Sequence, residues 1–441
     1  MSMSALTKMG LVLGLLLSSF AVKAATTYTT VIYGSTWSYT LSVAADATTN
    51  ATITAVSPAD GALIVPSQVD GYRVKFIGNG VGKGCANITK LAIPDTIKSI
   101  GAGAFANCTS LGDVVIGNGV STIAGIDNTS NYIQDYAAFG YCTSLTNVTF
   151  GSSLKEIGGY AFYGCTSLSD VSIPDSVTAI KHRAFYGCSK MTTATFGKGL
   201  VSMGVNSFRS CSGLKRATFA DGGTTGLVIG EGVFADCGWL EEIDLPDNLS
   251  SIYDRAFSGC TSLKALLIPD SVRSIGAGVF ANCTSLGDVV IGNGVSTIAG
   301  IDNTSNFIQD YAAFGYCTSL TNVTFGSSLK EIGGYAFYGC TSLSRVSIPD
   351  SVTTIKHRAF YGCSKMVEVM IGNKLSNMGD YAFARCLELK KVHFVDGGAT
   401  GLTLNEGVFS SCTVLTDLHL PNNILSVGNN AFSGSSAYKA Q

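Results

Sequence analysis

The chain has 441 residues and a formal net charge of -2, with 13% charged and 46% hydrophobic residues. That balance supplies no basic footprint for nucleic acid or for an anionic membrane surface. It equally excludes a disordered chain, which needs few apolar residues and a large net charge.

In chain order the first element is a leader. Lys8 precedes a short apolar run from Met9 to Leu17, and Val22-Lys23-Ala24 supplies tolerated residues before a cleavage point. The pattern predicts a secretory signal peptide over residues 1–24, cut near Ala24. The uncharged stretch from Met9 to Val22 falls short of the about 20 residues of a membrane helix, and no later segment is long and apolar enough. An exported protein, secreted or held at the cell surface without a membrane span, is the expectation. Residues 25–61 are rich in Thr, Ser, Tyr and Ala, with strand-forming runs at Thr29 to Tyr33, Trp37 to Val43 and Ala51 to Val56. Turns are expected at Gly34-Ser35 and at Asp46 to Asn50. This segment reads as a small β-rich cap over the open end of a repeat core, with a separate binding module as the alternative.

Residues 62–435 are periodic. The 14 cysteines are spaced mostly 23 residues apart, with steps of 34 to Cys142 and Cys317 and of 26 to Cys237 and Cys412. A period in this range signals a solenoid rather than several globular domains. In the coil that starts at Cys165 the apolar positions are Leu168, Val171, Ile173, Val177, Ile180, Ala184, Phe185 and Cys188. The Val-x-Ile segment alternates as a strand with one buried face, and Pro174 ends it. The Asp-Gly-Gly turns at Asp221 and Asp396 account for the 26-residue coils. A larger repeat lies above this one. Residues 101–191 and 276–366, offset by 175, differ only at Ala104/Val279, Tyr132/Phe307, Asp170/Arg345 and Ala179/Thr354. Residues 436–441 form a short tail.

The coil C-T-S-L-x-x-V-x-I-P-x-S-V-x-x-I-x-x-x-A-F-x-G-C resembles the BspA-like leucine-rich-repeat family of secreted and surface proteins. The resemblance covers roughly Ala62 to Ser435. It implies a right-handed leucine-rich-repeat solenoid with a parallel β-sheet on the concave side, and roles in adhesion, coaggregation or surface display. Three departures fall within it: Ser435 replaces the last cysteine, Val279 an alanine, and Val81-Gly82 an Ala-Phe pair.

Several constellations bear on function. Each cysteine has the same coil position, so stacking predicts an interior ladder of free thiols, with disulfides as the alternative. His182 and His357, within Lys-His-Arg, read as exposed. His393 and His419 fall on the outward strand position of neighbouring coils and should sit side by side. With Asp417 they make a candidate zinc or copper site, against which the charges of Lys390 and Lys391 would act. The two 34-residue coils carry polar insertions over Gly125–Tyr136 and Gly300–Tyr311, which mark Asp127, Asn128, Tyr132, Asp302, Asn303 and Phe307 as ligand-binding candidates. On the concave face most outward residues are small or hydroxylated, and Leu267 and Val290 form an adjacent apolar pair. There is no G-x-S-x-G, H-E-x-x-H, P-loop or dinucleotide fingerprint. No enzyme and no cofactor are expected. The expected function is a secreted or surface binding protein, an adhesin for protein or extracellular matrix, with a ligand-free structural envelope solenoid as the alternative.

Overall fold

The computed structural model describes residues 26–57, 60–125, 136–223, 226–301, 311–395 and 401–435. The leader, the tail and most of both insertions therefore lie outside the described residues.

The N-terminal strands Thr27–Ile32, Ser35–Val43 and Thr49–Ser57 form an antiparallel meander. Its first turn is centred on Tyr33-Gly34, one residue earlier than the sequence suggests, because Ser35 already pairs with Ile32. Both turn residues have positive φ, 51° and 79°, the backbone of a tight two-residue hairpin whose twist matches its strands. Thr49–Ser57 then pairs in parallel with Tyr72–Ile77, which pairs with Ser99–Ile100. The meander is thus hydrogen-bonded into the first coil. Its buried Trp37, Tyr39 and Ile53 join the same hydrophobic cluster as the repeats, and the Tyr39 hydroxyl donates to Asp70 at 2.7 Å.

Beyond this point the chain is a parallel β-solenoid, with no helix among the described residues. Each coil contributes two strands. One is the Val-x-Ile strand, whose alternating burial in Asp170–Ile173 is repeated in Arg345–Ile348. The other is a two-residue strand ending in the Ile180 position. This second series runs unbroken down the molecule, Ile100 beside Ile123, Ile157, Ile180 and Met203 in turn.

The concave sheet is interrupted. It consists of four ladders, which start at Gly61–Ile64, Asp170–Ile173, Ala265–Ile268 and Arg345–Ile348. The breaks follow the three-residue strands Asn147–Thr149, Glu242–Asp244 and Asn322–Thr324. In each, the position after the strand is a half-buried Phe150, Leu245 or Phe325, where continuous stretches carry a buried isoleucine or phenylalanine more often.

Between the two strand series lies the core. Phe162, Phe185 and Phe208 stack with centroids 5.1 and 4.9 Å apart, and the stack extends from Phe105 to Phe432. Parallel ring planes at this spacing follow from in-register coils about 4.8 Å apart. The stacked Phe amides donate to the carbonyl just before the next coil's Phe, as Phe162 does to Ala184 at 2.7 Å and Phe185 to Ser207 at 2.7 Å. The Pro-Asp turn after the strand also reaches onward, the Asp175 carboxylate accepting from the Lys198 amide at 3.0 Å and Asp350 from Asn373 at 3.0 Å. Every coil therefore leaves its apolar face and part of its hydrogen bonding to be completed by a neighbour.

Candidate functional site

The cysteines are free, and all but Cys85 are buried. Each buried thiol faces a carbonyl of the preceding coil: Cys165 donates to Phe139 at 3.1 Å, Cys211 to Phe185 at 3.2 Å and Cys340 to Phe314 at 3.0 Å. Ser435, which breaks the cysteine pattern, keeps the interaction, its hydroxyl donating to Phe409 at 3.1 Å. Position, not thiol chemistry, is what the coil repeats. Burial pushes the Cys165, Cys283 and Cys412 thiols up to about 12, so they are protonated and poor nucleophiles at neutral pH.

His182 and His357 are half-buried rather than exposed. Each ring stands edge-on to a buried tyrosine, Tyr160 or Tyr335, with centroids 5.0 Å apart. The following residues, Arg183 and Arg358, hold φ of 52° and 51° and turn back so that their guanidinium groups donate to those same tyrosine hydroxyls. The Lys-His-Arg charge pattern suggests solvent, but the left-handed backbone at the arginine folds this corner inward.

On the concave face, Leu267 and Val290 are direct neighbours in register and are 64% and 41% exposed. His393 and His419 are likewise opposite each other on parallel strands, their rings stacked with centroids 5.9 Å apart. Asp417 lies two residues before His419, hence on the same face. Its carboxylate is 3.0 Å from His419 Nδ1 and 3.8 Å from His393 Nε2. All three sequence-marked residues come together.

The insertion residues Asp127, Asn128, Tyr132, Asp302, Asn303 and Phe307 lie outside the described residues. Their anchors are described. A side chain at Gly125 would meet the Gly159 carbonyl at 1.9 Å, and one at Gly300 the Gly334 carbonyl at 2.0 Å. Both insertions thus begin at a position where only glycine fits against the next coil. At the return, Tyr311 is held by Arg255, which stacks on its ring at 4.6 Å and donates to its hydroxyl at 3.0 Å.

Two grooves were not legible in the sequence. One, of about 560 Å³, lies across the first sheet break between Phe150, Asp170 and Thr195; the other, of about 470 Å³, lies across the corresponding break between Phe325, Arg345 and Met370. They occupy equivalent places in the two copies of the 175-residue block, but their charges differ. Asp170 accepts from Thr192 at 3.1 Å in the first, whereas Arg345 faces Glu368 at 3.6 Å in the second. The Asp170/Arg345 difference is one of only four between residues 101–191 and 276–366, and it marks this place.

A model of the BspA type leucine rich repeat region matches residues 75–126, 124–225, 225–309 and 299–400. The chain belongs to this family. Among solved structures it is similar to a leucine-rich repeat protein from Bacteroides ovatus, with 26% identity and a TM-score of 0.56 over 86% of this chain and 98% of that one. A leucine rich cell surface protein from Faecalibacterium prausnitzii is 25% identical, with a TM-score of 0.41 over 85% and 96% of the two chains. The pneumococcal vaccine antigen PcpA is 18% identical, with a TM-score of 0.45 over 90% and 92%. No curated protein matches. The leucine-rich-repeat solenoid is typically a non-enzymatic binding scaffold. Among the described residues no helix is long and apolar enough to cross a membrane.

Proposed function

We propose that this BspA-type repeat protein is an exported, surface-associated adhesin that takes protein or extracellular-matrix ligands on its concave sheet. The signal-peptide pattern of residues 1–24 supports export. The observation that carries the binding reading is the pair of equivalent grooves at the sheet breaks, whose linings match except at Asp170/Arg345, Thr193/Glu368 and Thr195/Met370, so that the same place carries different chemistry in the two copies. A spacer needs coils that stack. It gains nothing from Asp170 in one groove and Arg345 in the other. The two insertions are the second contact candidate: seven coil intervals of about 4.8 Å separate them, roughly 34 Å, and two weak sites at fixed spacing suit a clustered target, where linkage raises avidity by about 10²–10⁴-fold.

The near-identity of the duplicated block supports the other reading, a structural envelope solenoid in which length is what matters. Surface binding to immobilised matrix proteins separates the two. The comparison takes wild type, Asp170→Arg, Arg345→Asp, each insertion deletion and the double deletion, with folding checked by circular dichroism. An adhesin binds, and loses binding in the groove or the deletion variants. Wild type that retains no matrix or cell-surface component leaves the spacer as the function.

A further inference from the structure

The stacked histidines lie at the C-terminal end of the concave sheet, on strands Lys391–Phe394 and Asp417–His419. These strands run parallel, with Lys391 opposite Asp417, Val392 opposite Leu418 and His393 opposite His419. Val392 is buried, so alternation turns Lys391, His393, Asp417 and His419 to the solvent face. There one ligand atom from each of His393, Asp417 and His419 lies within 4.8 Å of the other two. A single tetrahedral ion with bonds of about 2.0–2.2 Å to nitrogen and oxygen holds its donors about 3.4 Å apart, so the three ligand atoms need to close by little more than an ångström, within reach of side-chain rotation. We propose that His393, Asp417 and His419 bind one late first-row transition-metal ion, zinc(II) or copper(II), with its remaining coordination positions open to solvent.

Three features support this beyond proximity. First, the ladder fixes the spacing: His393 and His419 are held by adjacent paired strands, and Asp417 is fixed to His419 by the two-residue period. Second, the cluster has no part in the repeat core. At the same places in the first block the chain has Thr218, Glu242 and Asp244, and Glu242 there is held by Arg216 at 3.1 Å. The imidazoles are peculiar to the second block. Third, two imidazoles and one carboxylate suit zinc or copper, and not calcium or magnesium, which take oxygen donors. Met370, opposite His393 on the preceding strand and 47% exposed, extends the outward row with a thioether. Lys391 is the opposing charge. It stands opposite Asp417, yet the Asp417 carboxylate contacts the two imidazoles, at 3.0 Å from His419 Nδ1 and 3.8 Å from His393 Nε2.

The test is calorimetric titration of the untagged, chelator-stripped full chain with zinc(II) and with copper(II), and electron paramagnetic resonance of the copper form. One equivalent should bind, and the copper spectrum should show nitrogen ligation. His393→Ala, His419→Ala and Asp417→Asn should each weaken binding by at least about tenfold, since loss of even an outer-shell partner costs about 10–100-fold. Their circular dichroism should match wild type, because none of the three side chains is buried. The fourteen cysteines are the competing donors. Unchanged stoichiometry and affinity in the His393→Ala/His419→Ala double variant would assign any binding to thiols and overturn the proposal, as would failure of both ions to bind wild type.

Discussion

Phe185 shows what one repeated residue does. Its ring is fully buried between Phe162 and Phe208, and the coil offers no other group to fill the gap. Phe185→Ala should therefore cost about 3–5 kcal/mol, the usual range for a buried phenylalanine. Urea unfolding of the two proteins measures it, and a loss under about 1 kcal/mol would mean that neighbouring rings close the gap. The cysteines predict a pH response. Burial raises the folded-state pKa of Cys165, Cys283 and Cys412 from the ordinary 9.0 to about 12. A raised thiol pKa means that the unfolded chain loses its proton first. The thiol contribution to stability is then complete below about pH 9 and falls as pH climbs towards 12, by about 1.4 kcal/mol per thiol per pH unit. Unfolding midpoints measured from pH 8 to 11 should drop steeply, and a flat profile would contradict the buried ladder. Thiol titration should find few reactive groups in the native protein and all 14 after denaturation without reductant.

At the scale of elements, strands of two to four residues cannot hold themselves. Ala179–Ile180 is stable only because Glu156–Ile157 and Ser202–Met203 flank it, and the turns are fixed by bonds to the next coil as well as within their own, Lys198 donating to Asp175 and Val177 to Pro174. This is why close backbone approach matters at the insertions. Gly125→Ala places a methyl group 1.9 Å from the Gly159 carbonyl, and the coils must separate to accept it. The cost should be about 1–3 kcal/mol, typical of overpacking, with Gly300→Ala matching it because Gly334 stands in the same relation. Thermal melts of both variants check this; unchanged melting would show that the insertion does not depend on the glycine. The cap belongs to the same scale, since Thr49–Ser57 supplies a hydrogen-bonded neighbour to the first two-strand coil.

Across the whole molecule, stability is a chain of neighbour contacts. Truncation after Cys283 should leave a folded but less stable solenoid, because the remaining coils keep their neighbours and only the new terminal coil loses one. Circular dichroism and a melting curve on the truncated chain measure this. Complete unfolding would show that coils far apart in sequence depend on one another, contrary to the neighbour-only packing. The concave face also acquires its character at this scale: a row of outward residues becomes a surface only when coils are in register. Leu267 and Val290 then touch, His393 comes to lie over His419, and the sheet breaks open two equivalent grooves.

The sequence by itself determined the repeat and most of the core. Cysteine spacing, the Val-x-Ile alternation and the Ala-Phe pair mark the buried positions, because one apolar slot recurs in every coil and burial has no other pattern there. Adjacency along the concave face followed as well, since in a parallel solenoid equal coil positions are neighbours; His393, Asp417 and His419 were legible for that reason. What only the tertiary structure decided depends on backbone direction and on which contacts persist between coils. The left-handed turn at Arg183 and Arg358 folds His182 and His357 inward, a choice that charge patterning does not encode. The second strand series is too short to show an alternation. The interruptions of the concave sheet, and the grooves at Asp170 and Arg345 that they open, arise from how neighbouring strands fail to pair after Thr149 and Thr324, a property of two coils together that neither coil's residues specify alone.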